Sequence, residues 1–175
     1  DAEQTPWAGG DRAEGWGRAV NLPVMFDVWP RTDRSYAELI LKKMRPGDIH
    51  THVFAQQFPI LLADGKLNPI LAEARARGVI FDVGHGAGSF WFRNAVPAVR
   101  QGFMPDSIST DLHTGNFTVL SMTQVMSTFL ALGVPLHDLI RRSTGTPARA
   151  INPPELGSRS GGKEGARDRR HELVG

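Results

Sequence analysis

A repeated order of apolar run, loop and amphipathic stretch constrains the fold of this chain more than any other feature. Apolar runs begin near residues 23, 49, 79 and 107, and stretches with helical spacing follow them at 36–44, 69–77, 92–101, 122–132 and 135–142. Short apolar runs that alternate with amphipathic helices are typical of parallel strands joined by crossover helices. The order therefore predicts an α/β fold with a parallel sheet.

The spacing of the predicted strands indicates the type of sheet. Successive runs start about 26 to 30 residues apart, close to one eighth of a (β/α)8 TIM barrel of about 250 residues. Four such units make about half a barrel. A doubly wound open sheet is the structural alternative, but the GxGxxG motif typical of dinucleotide-binding sheets does not follow the first run.

The composition limits the kinds of site that this chain can build. It contains no Cys, which excludes disulfides, thiolate zinc sites and Cys nucleophiles and leaves His and carboxylates as the strong metal ligands. No apolar stretch approaches the roughly 20 residues of a membrane helix, and the N-terminus does not resemble a signal peptide. We therefore expect a cytoplasmic protein without a membrane partner, although the absence of an initial Met leaves a removed leader open.

The formal net charge of +2 is concentrated in the last residues. From Arg159 onward five basic residues stand against three acidic ones, which accounts for the whole net charge. This segment has no aromatic residues between the basic ones and no periodicity, so it lacks the pattern of a nucleic-acid-binding surface. We interpret residues 158–175 as a disordered basic tail and expect no nucleic-acid partner.

Polar side chains follow the ends of all four predicted strands. They are Asp27, His52, His85 and Asp111, each at or just past the end of an apolar run. In a barrel of parallel strands, the carboxyl ends meet at one mouth, and the active site is built there. We therefore predict that these four side chains lie around one site.

Each of these candidates also has a purely structural reading. His50 is interpreted as a core histidine, and because side chains alternate along a strand, we expect it to point the same way as His52, with His52 nearer the rim. Asp111 could instead cap the following helix, and the glycines around His85 could serve only as tight-turn positions. His113 carries a weaker signal.

Several motifs resemble a known family. They are THVF at 51–54, ARARGVIFDVGHGAGSF at 74–90, QGFMPDSISTDLH at 101–113 and TPARAI at 146–151. Over residues 16–157 the chain resembles the C-terminal half of the amidohydrolase superfamily barrel, in the amidohydrolase/deacetylase branch that includes dihydroorotases and D-aminoacylases. The resemblance implies strands 5 to 8 of the barrel over residues 21–157, preceded by a fragment N-terminus with a partial helix at 1–20.

The resemblance also implies a divalent metal centre. The family builds it from an HxH on strand 1, a Lys or Glu on strand 4, a His on strand 5, a His on strand 6 and an Asp on strand 8. The 59 residues from His52 to Asp111 leave room for two βα units, so His52 matches the strand-6 ligand and Asp111 the strand-8 acid, which binds metal and takes the proton from bridging water. Asp27 stands where the family has its strand-5 His, a departure that changes the charge of the site. Zn2+, or else Mn2+, is the expected ion.

The implied activity is hydrolysis of a small-molecule amide or ester through metal-activated water, with Asp111 as the catalytic residue. His85, Gly86 and His113 are the expected substrate contacts. Because no counterparts of strands 1 to 4 are present, we expect the chain to be a fragment, inactive alone and inclined to form homo-oligomers through open sheet edges. The alternatives are a degenerate, non-catalytic barrel relative that serves as a binding or scaffold module, and an unrelated α/β enzyme that binds phosphate through GHGAGS.

Overall fold

The computed structural model describes residues 8–28, 35–116 and 121–151. Helix α1 (Ala8–Val20) is followed by strand β1 (Met25–Phe26), a helical turn α2 (Tyr36–Glu38) that continues as a π-helix (Leu39–Lys43), and strand β2 (Ile49–His50). Helix α3 (Ile70–Ala76), strand β3 (Ile80–Phe81) and helix α4 (Phe92–Arg100) come next. Three helices end the described chain, namely α5 (Met122–Ala131), α6 (Leu136–Ser143) and α7 (Gly145–Ala150).

The strands form one parallel sheet in the order β1-β2-β3. Met25 pairs with Ile49, and Ile49 pairs in turn with Ile80. A fourth parallel segment extends the sheet beyond β3 through a bridge between Asp82 and Ser107. The predicted four parallel segments are therefore present in chain order, and the open sheet is not closed into a barrel among the described residues.

The strands are shorter than the apolar runs predict. β2 ends at His50, because His52 has a backbone φ of 56° and its carbonyl accepts a hydrogen bond from the Ala55 N–H at 2.8 Å. A left-handed residue cannot continue an extended strand. The expectation that His50 and His52 point the same way is thus wrong in its premise, since side-chain alternation applies only to extended backbone.

The predicted helices are present with small shifts at their ends. The stretch at 36–44 departs most, because after one α-turn it widens into the π-helix. Helix α5 begins after Ser121, whose Oγ accepts a hydrogen bond from the Gln124 N–H at 3.3 Å. Such a side-chain acceptor satisfies one of the free N–H groups in a first helical turn.

The core lies between the sheet and its helices, and His50 is part of it. His50 is fully buried, and its ring packs against Tyr36, Phe58 and Phe81 at centroid distances of 5.5, 4.6 and 5.7 Å. Its Nδ1–H donates to the Thr51 carbonyl at 2.7 Å. Burial lowers the pKa of His50 to about 4. The interpretation of His50 as a core histidine is confirmed.

The opposite, amino end of the sheet is fixed by a buried ion pair. The fully buried Asp48 carboxylate accepts hydrogen bonds from the Val24 N–H at 2.8 Å and from the Arg45 guanidinium at 2.7 Å. These bonds join the entries of β1 and β2.

The domain limits given by the sequence stay predictions, and the tail at 158–175 lies outside the described residues. Within the described ranges, no helix has the length and apolar character required to cross a membrane.

Candidate functional site

His52 and Asp27 come together at the carboxyl ends of β1 and β2. His52 Nε2 lies 3.7 Å from Asp27 Oδ2; the His52 side chain is 13% exposed and that of Asp27 is 70% exposed. The Nδ1–H of the His52 ring donates to the Gly84 carbonyl at 2.9 Å. With the proton on Nδ1, the lone pair of Nε2 remains free on the Asp27 side of the ring.

Gly84 fits tightly beneath the His52 ring. Its φ is 48°, and a methyl group at this position would lie 2.3 Å from His52 Nδ1 and 2.6 Å from Thr51 Oγ1. Both distances are too short for non-bonded atoms, so only glycine fits here without a shift of its neighbours. The tight-turn reading of the glycine-rich loop is therefore correct for Gly84, and the same turn also contacts a candidate ligand.

A buried carboxylate that the sequence interpretation did not single out lies below this loop. Asp82, 2% exposed, accepts hydrogen bonds from Thr51 Oγ1 at 2.8 Å, Ser107 Oγ at 2.6 Å, Ser109 Oγ at 2.6 Å and the Gly84 N–H at 3.1 Å. These donors come from the ends of three neighbouring strands. The signal that could have found Asp82 is a carboxylate within the apolar run VIFDV, directly before the glycine-rich loop.

Asp111 lies on the other side of the same loop. It has a φ of 51°, and its Oδ2 would be 2.5 Å from a methyl group at Gly86. His113 Nε2 is 3.9 Å from Asp111 Oδ2, and His113 Nδ1 accepts a hydrogen bond from the Gly115 N–H at 3.0 Å. The neutral His113 ring therefore carries its proton on Nε2, on the side of Asp111.

Asn116 ties the Asp111 turn to the glycine-rich loop. It is 2% exposed, its Nδ2 donates to the carbonyls of Asp111 at 2.8 Å and His85 at 3.2 Å, and its Oδ1 accepts from the Ala87 N–H at 3.0 Å. The sequence reasoning missed this residue. A single Asn in a polar turn gives no sequence signal, because its role depends on a contact with a loop 30 residues away.

His85 presents an imidazole without a hydrogen-bond partner among the described residues. Both ring nitrogens are buried and unpaired, and the ring stacks on Phe90 at a centroid distance of 4.1 Å and an interplanar angle of 12°. Burial lowers the pKa of His85 below its ordinary value. A neutral imidazole that is held flat against a phenyl ring has both a donor and an acceptor available for a ligand.

The predicted residues thus form two groups that touch one loop. Asp27 and His52 meet on the Gly84 side, and Asp111 and His113 meet on the Gly86 side. The prediction that all of them share one site stays a prediction. Over the described ranges, no three His, Asp or Glu side chains come close enough together to hold a metal ion.

The His52 and Asp27 pair nevertheless fits one side of a metal site. Protein nitrogen and oxygen ligands of Zn2+ lie about 2.0 to 2.2 Å from the ion, so the 3.7 Å between Nε2 and Oδ2 is compatible with a shared ion. The Nδ1–H bond to a backbone carbonyl is also the usual outer contact of a metal-binding His. The donor types fit, whereas the donor count remains below the three of a catalytic zinc site.

Comparison with known proteins gives several matches that cover most of this chain. The chain is 35% identical to a deacetylase of Brucella anthropi and 34% identical to a deacetylase of Agrobacterium fabrum, in each case over 137 residues and 77% of the chain. These alignments cover 34% and 33% of the two relatives, so the chain spans about a third of the length of the curated relatives it matches. No family model matches the chain.

Solved structures give the same result at the level of the fold. A crystal structure of an adenine deaminase superposes with a TM-score of 0.73 at 28% identity, over 86% of this chain and 41% of that one. A dihydroorotase gives 0.68 at 29% identity, over 82% and 39%. The fold is α/β of the TIM-barrel type, present as about half a barrel. Together with the motifs at 74–90 and 101–113, these similarities show that the chain belongs to the amidohydrolase superfamily.

Proposed function

We propose that this chain carries part of the active site of a metal-dependent hydrolase of the amidohydrolase/deacetylase type, which cleaves an amide or ester bond in a small molecule. One observation carries the proposal: His52 Nε2, with its lone pair free, lies 3.7 Å from the Asp27 carboxylate. Two electron-pair donors that face each other at this distance can share a cation, either a proton or a metal ion. The names of the deacetylase relatives support the hydrolase class.

His52 and Asp27 would hold the divalent ion. Asp111 is the further ligand that the sequence predicts, and it would have to approach this pair more closely than it does in the described residues. Such an ion, when bound, supplies a water of lowered pKa and polarises the carbonyl group under attack. Asp27 in place of a His adds a negative charge to the ligand set and shifts its preference towards harder ions such as Mn2+ beside Zn2+. The remaining ligands would come from outside the described residues.

Asp111 would act as the general base and then as the general acid. A carboxylate in this position can take a proton from the attacking water and give it to the leaving amine or alcohol. Its backbone is fixed by the Asn116 amide at 2.8 Å, and its Oδ2 lies against Gly86. A side chain restricted in this way on both sides has little freedom to leave the reacting atoms.

His85, Gly86 and His113 would contact the substrate. The buried, unpaired imidazole of His85 can donate to a carbonyl or carboxylate oxygen. The backbone N–H groups of the Gly84 to Ser89 loop are suited to an anionic group. His113 is 57% exposed, which places it where an entering molecule could meet it.

A degenerate, non-catalytic relative is the second candidate. The observation that favours it is the donor count, since no group of three potential ligands is present in the part of the chain that the structure describes. Such a module would bind its partner without hydrolysis. Metal content separates this candidate from the first, because a non-catalytic relative predicts no specific metal binding at His52.

The third reading, a phosphate binder that uses GHGAGS, predicts affinity for inorganic phosphate.

The experiment is a titration of the metal-free chain with Zn2+ and Mn2+ by calorimetry, repeated with inorganic phosphate. We expect weak binding of one ion by the wild type and a loss of about tenfold or more in His52→Ala and in Asp27→Ala. His137→Ala is the matched control, because His137 is a surface histidine with an 82% exposed side chain. Equal metal binding by all four proteins would contradict the proposed centre, and phosphate binding without metal binding would favour the third reading.

A further inference from the structure

We propose that Asp82 is a positioning residue, which fixes His52 in the tautomer that can bind metal by restraining the backbone of Gly84, the residue that lies between them. The geometry behind this assignment is that the Gly84 N–H donates to the Asp82 carboxylate and that the Gly84 carbonyl, in the next peptide unit, accepts from His52 Nδ1. The metal part of the inference rests on the proposed function. The tautomer part does not, because it concerns the metal-free protein.

The Asp82 carboxylate is almost completely removed from water and yet fully hydrogen-bonded. It is 2% exposed; Oδ2 accepts from Thr51 Oγ1, Ser109 Oγ and the Gly84 N–H, and Oδ1 accepts from Ser107 Oγ. A buried charge without a cationic partner is costly unless several donors stabilise it. The three donors that converge on Oδ2 indicate that this position requires a hydrogen-bond acceptor.

The Oδ2 side of the carboxylate requires an acceptor. Ser109 Oγ accepts a hydrogen bond from the Gly84 N–H at 3.0 Å, so its own hydrogen is the one that points to Asp82. Asparagine could keep an oxygen at this position and turn its NH2 group to Ser107 Oγ, a hydroxyl that can accept as well as donate. Asp82→Ala removes the acceptor itself and is therefore the substitution that breaks the link to Gly84.

Gly84 transmits this arrangement to His52. Its N–H is held by Asp82 and Ser109, and its carbonyl accepts from His52 Nδ1 at 2.9 Å. The His52 ring in turn lies directly against the Gly84 backbone, since a methyl group on Gly84 would be 2.3 Å from Nδ1. The carbonyl belongs to the next peptide unit, which is held by its own N–H, because the His85 N–H donates to the Ser109 carbonyl at 3.0 Å. With both peptide planes of Gly84 bonded in this way, the Gly84 carbonyl keeps one direction, and only the Nδ1–H tautomer of His52 can donate to it.

Thr51 gives Asp82 a second, direct link to the same ligand. Thr51 precedes His52 in sequence, is 5% exposed, and its Oγ1 donates to Asp82 at 2.8 Å. His52 follows with a left-handed backbone, φ 56°, which requires support from its surroundings. Asp82 thus restrains the backbone on the N-terminal side of His52. It also restrains Gly84, whose carbonyl accepts the hydrogen bond from the His52 ring.

The test reads the His52 tautomer directly. In the metal-free wild-type chain at a pH where histidines are neutral, ¹⁵N chemical shifts should show one Nδ1–H tautomer for His52. In Asp82→Ala we expect a mixture of the two tautomers and a Zn2+ affinity lowered by about 10- to 100-fold, the range found when outer-shell partners of metal ligands are removed. Ser109→Ala, a milder change in the same network, should move both readouts in the same direction and replaces Asp82→Ala if that variant does not fold.

Asp48→Ala is the matched control. Asp48 is also a buried carboxylate, but it lies at the entry of β2 and accepts hydrogen bonds from Val24 and Arg45. Its substitution should destabilise the fold and leave the His52 tautomer unchanged. A single wild-type tautomer in Asp82→Ala or Ser109→Ala, a mixture in the wild type, or an equal change in Asp48→Ala would each overturn the inference. A tautomer change in a chain that never binds Zn2+ would support the positioning role and reject the proposed function.

Discussion

Two of the candidate ligands have left-handed backbone conformations. His52 and Asp111 have φ values of 56° and 51°, in a region that costs a non-glycine residue roughly 1 to 3 kcal/mol. Such residues persist only where surrounding contacts determine them, and they concentrate at functional sites. Here Gly84 and Gly86 supply the contacts, because each glycine lies against one of the two side chains. At the scale of single residues, the site therefore depends on two glycines as much as on its polar groups.

Gly84→Ala should disrupt the site and the fold together. The added methyl group would lie 2.3 Å from the His52 ring, and the φ of 48° is unfavourable for alanine. We expect the free energy of unfolding to fall by about 1 to 3 kcal/mol and Zn2+ affinity to decrease. Urea denaturation and calorimetry measure the two effects. Gly88→Ala is the control, because a methyl group there has no atom within 4 Å; equal losses in both variants would contradict the argument.

The stability of the chain should depend on His50 in mildly acidic solution. Burial lowers the pKa of His50 from 6.5 to about 4, so the unfolded state binds more protons than the folded state between these values. The stabilisation is complete above pH 6.5 and is lost as the pH falls towards 4, by up to about 3 kcal/mol. Denaturation curves at several pH values should show this slope.

His50→Phe is the matched variant for this measurement. Phenylalanine can occupy the aromatic surroundings of Tyr36, Phe58 and Phe81 and does not titrate. The lowered pKa of His85 acts in the same direction, but it is present in both proteins and cancels in the comparison. The same pH slope in wild type and His50→Phe would show that His50 does not titrate as its burial requires.

At the scale of elements, the two edges of the sheet differ. β1 pairs only with β2 in the described part of the chain, and Met25 on this edge is 55% exposed. At the other edge, the Ile108 N–H donates to the Arg142 carbonyl at 3.0 Å, so the end of helix α6 covers part of the fourth segment. The β1 edge is therefore the place where another strand could pair, in agreement with the sequence expectation of open edges.

Met25→Lys should reduce self-association through the β1 edge. Lysine on an edge strand opposes pairing with a second copy, because two positive charges would meet and an apolar contact would be lost. We expect the wild-type chain to associate at high concentration and Met25→Lys to remain monomeric in sedimentation velocity. Leu130→Lys, at a 43% exposed apolar position on helix α5, is the control. Equal association in all three proteins would place the contact elsewhere.

At the scale of the whole molecule, the chain combines an ordered sheet with an incomplete ligand set. It covers 41% and 39% of the superposed deaminase and dihydroorotase, and its strands pair in parallel in chain order. The His52, Asp27 and Asp111 side chains lie at the carboxyl ends of those strands, where barrels of this type build their sites. The described residues thus supply part of the proposed site, with fewer ligands than a catalytic zinc ion needs.

The chain of 175 residues should therefore show no appreciable hydrolase turnover and only weak metal binding. A catalytic zinc ion takes three protein ligands in fixed geometry, and the described residues contain no such group. Assays with N-acetyl amino acids and acetyl esters, with added Zn2+ or Mn2+, test this expectation. Metal-dependent turnover that His52→Ala abolishes would show that the visible strands hold a complete site.

The sequence by itself determined the order of the elements. Apolar runs at 23–28, 49–54 and 79–83 predicted β1, β2 and β3, because the burial of a parallel strand on both faces requires continuous apolar residues. The spacing of the runs indicated the barrel type, and the motifs GHGAGSF and ISTDLH indicated the superfamily. These inferences succeeded because hydrophobic periodicity and local motifs are carried by residues close in sequence.

Only the tertiary structure decided how the candidate residues are oriented. The separation of His50 from His52 arises from a left-handed turn that contacts Gly84, 32 residues later. The roles of Asp82 and Asn116 likewise depend on bonds to Ser107 and to the His85 carbonyl, each 25 or more residues away. A hydrogen bond has direction as well as distance, so the tautomer of His52 follows from where Gly84 folds against it and not from any pattern along the chain.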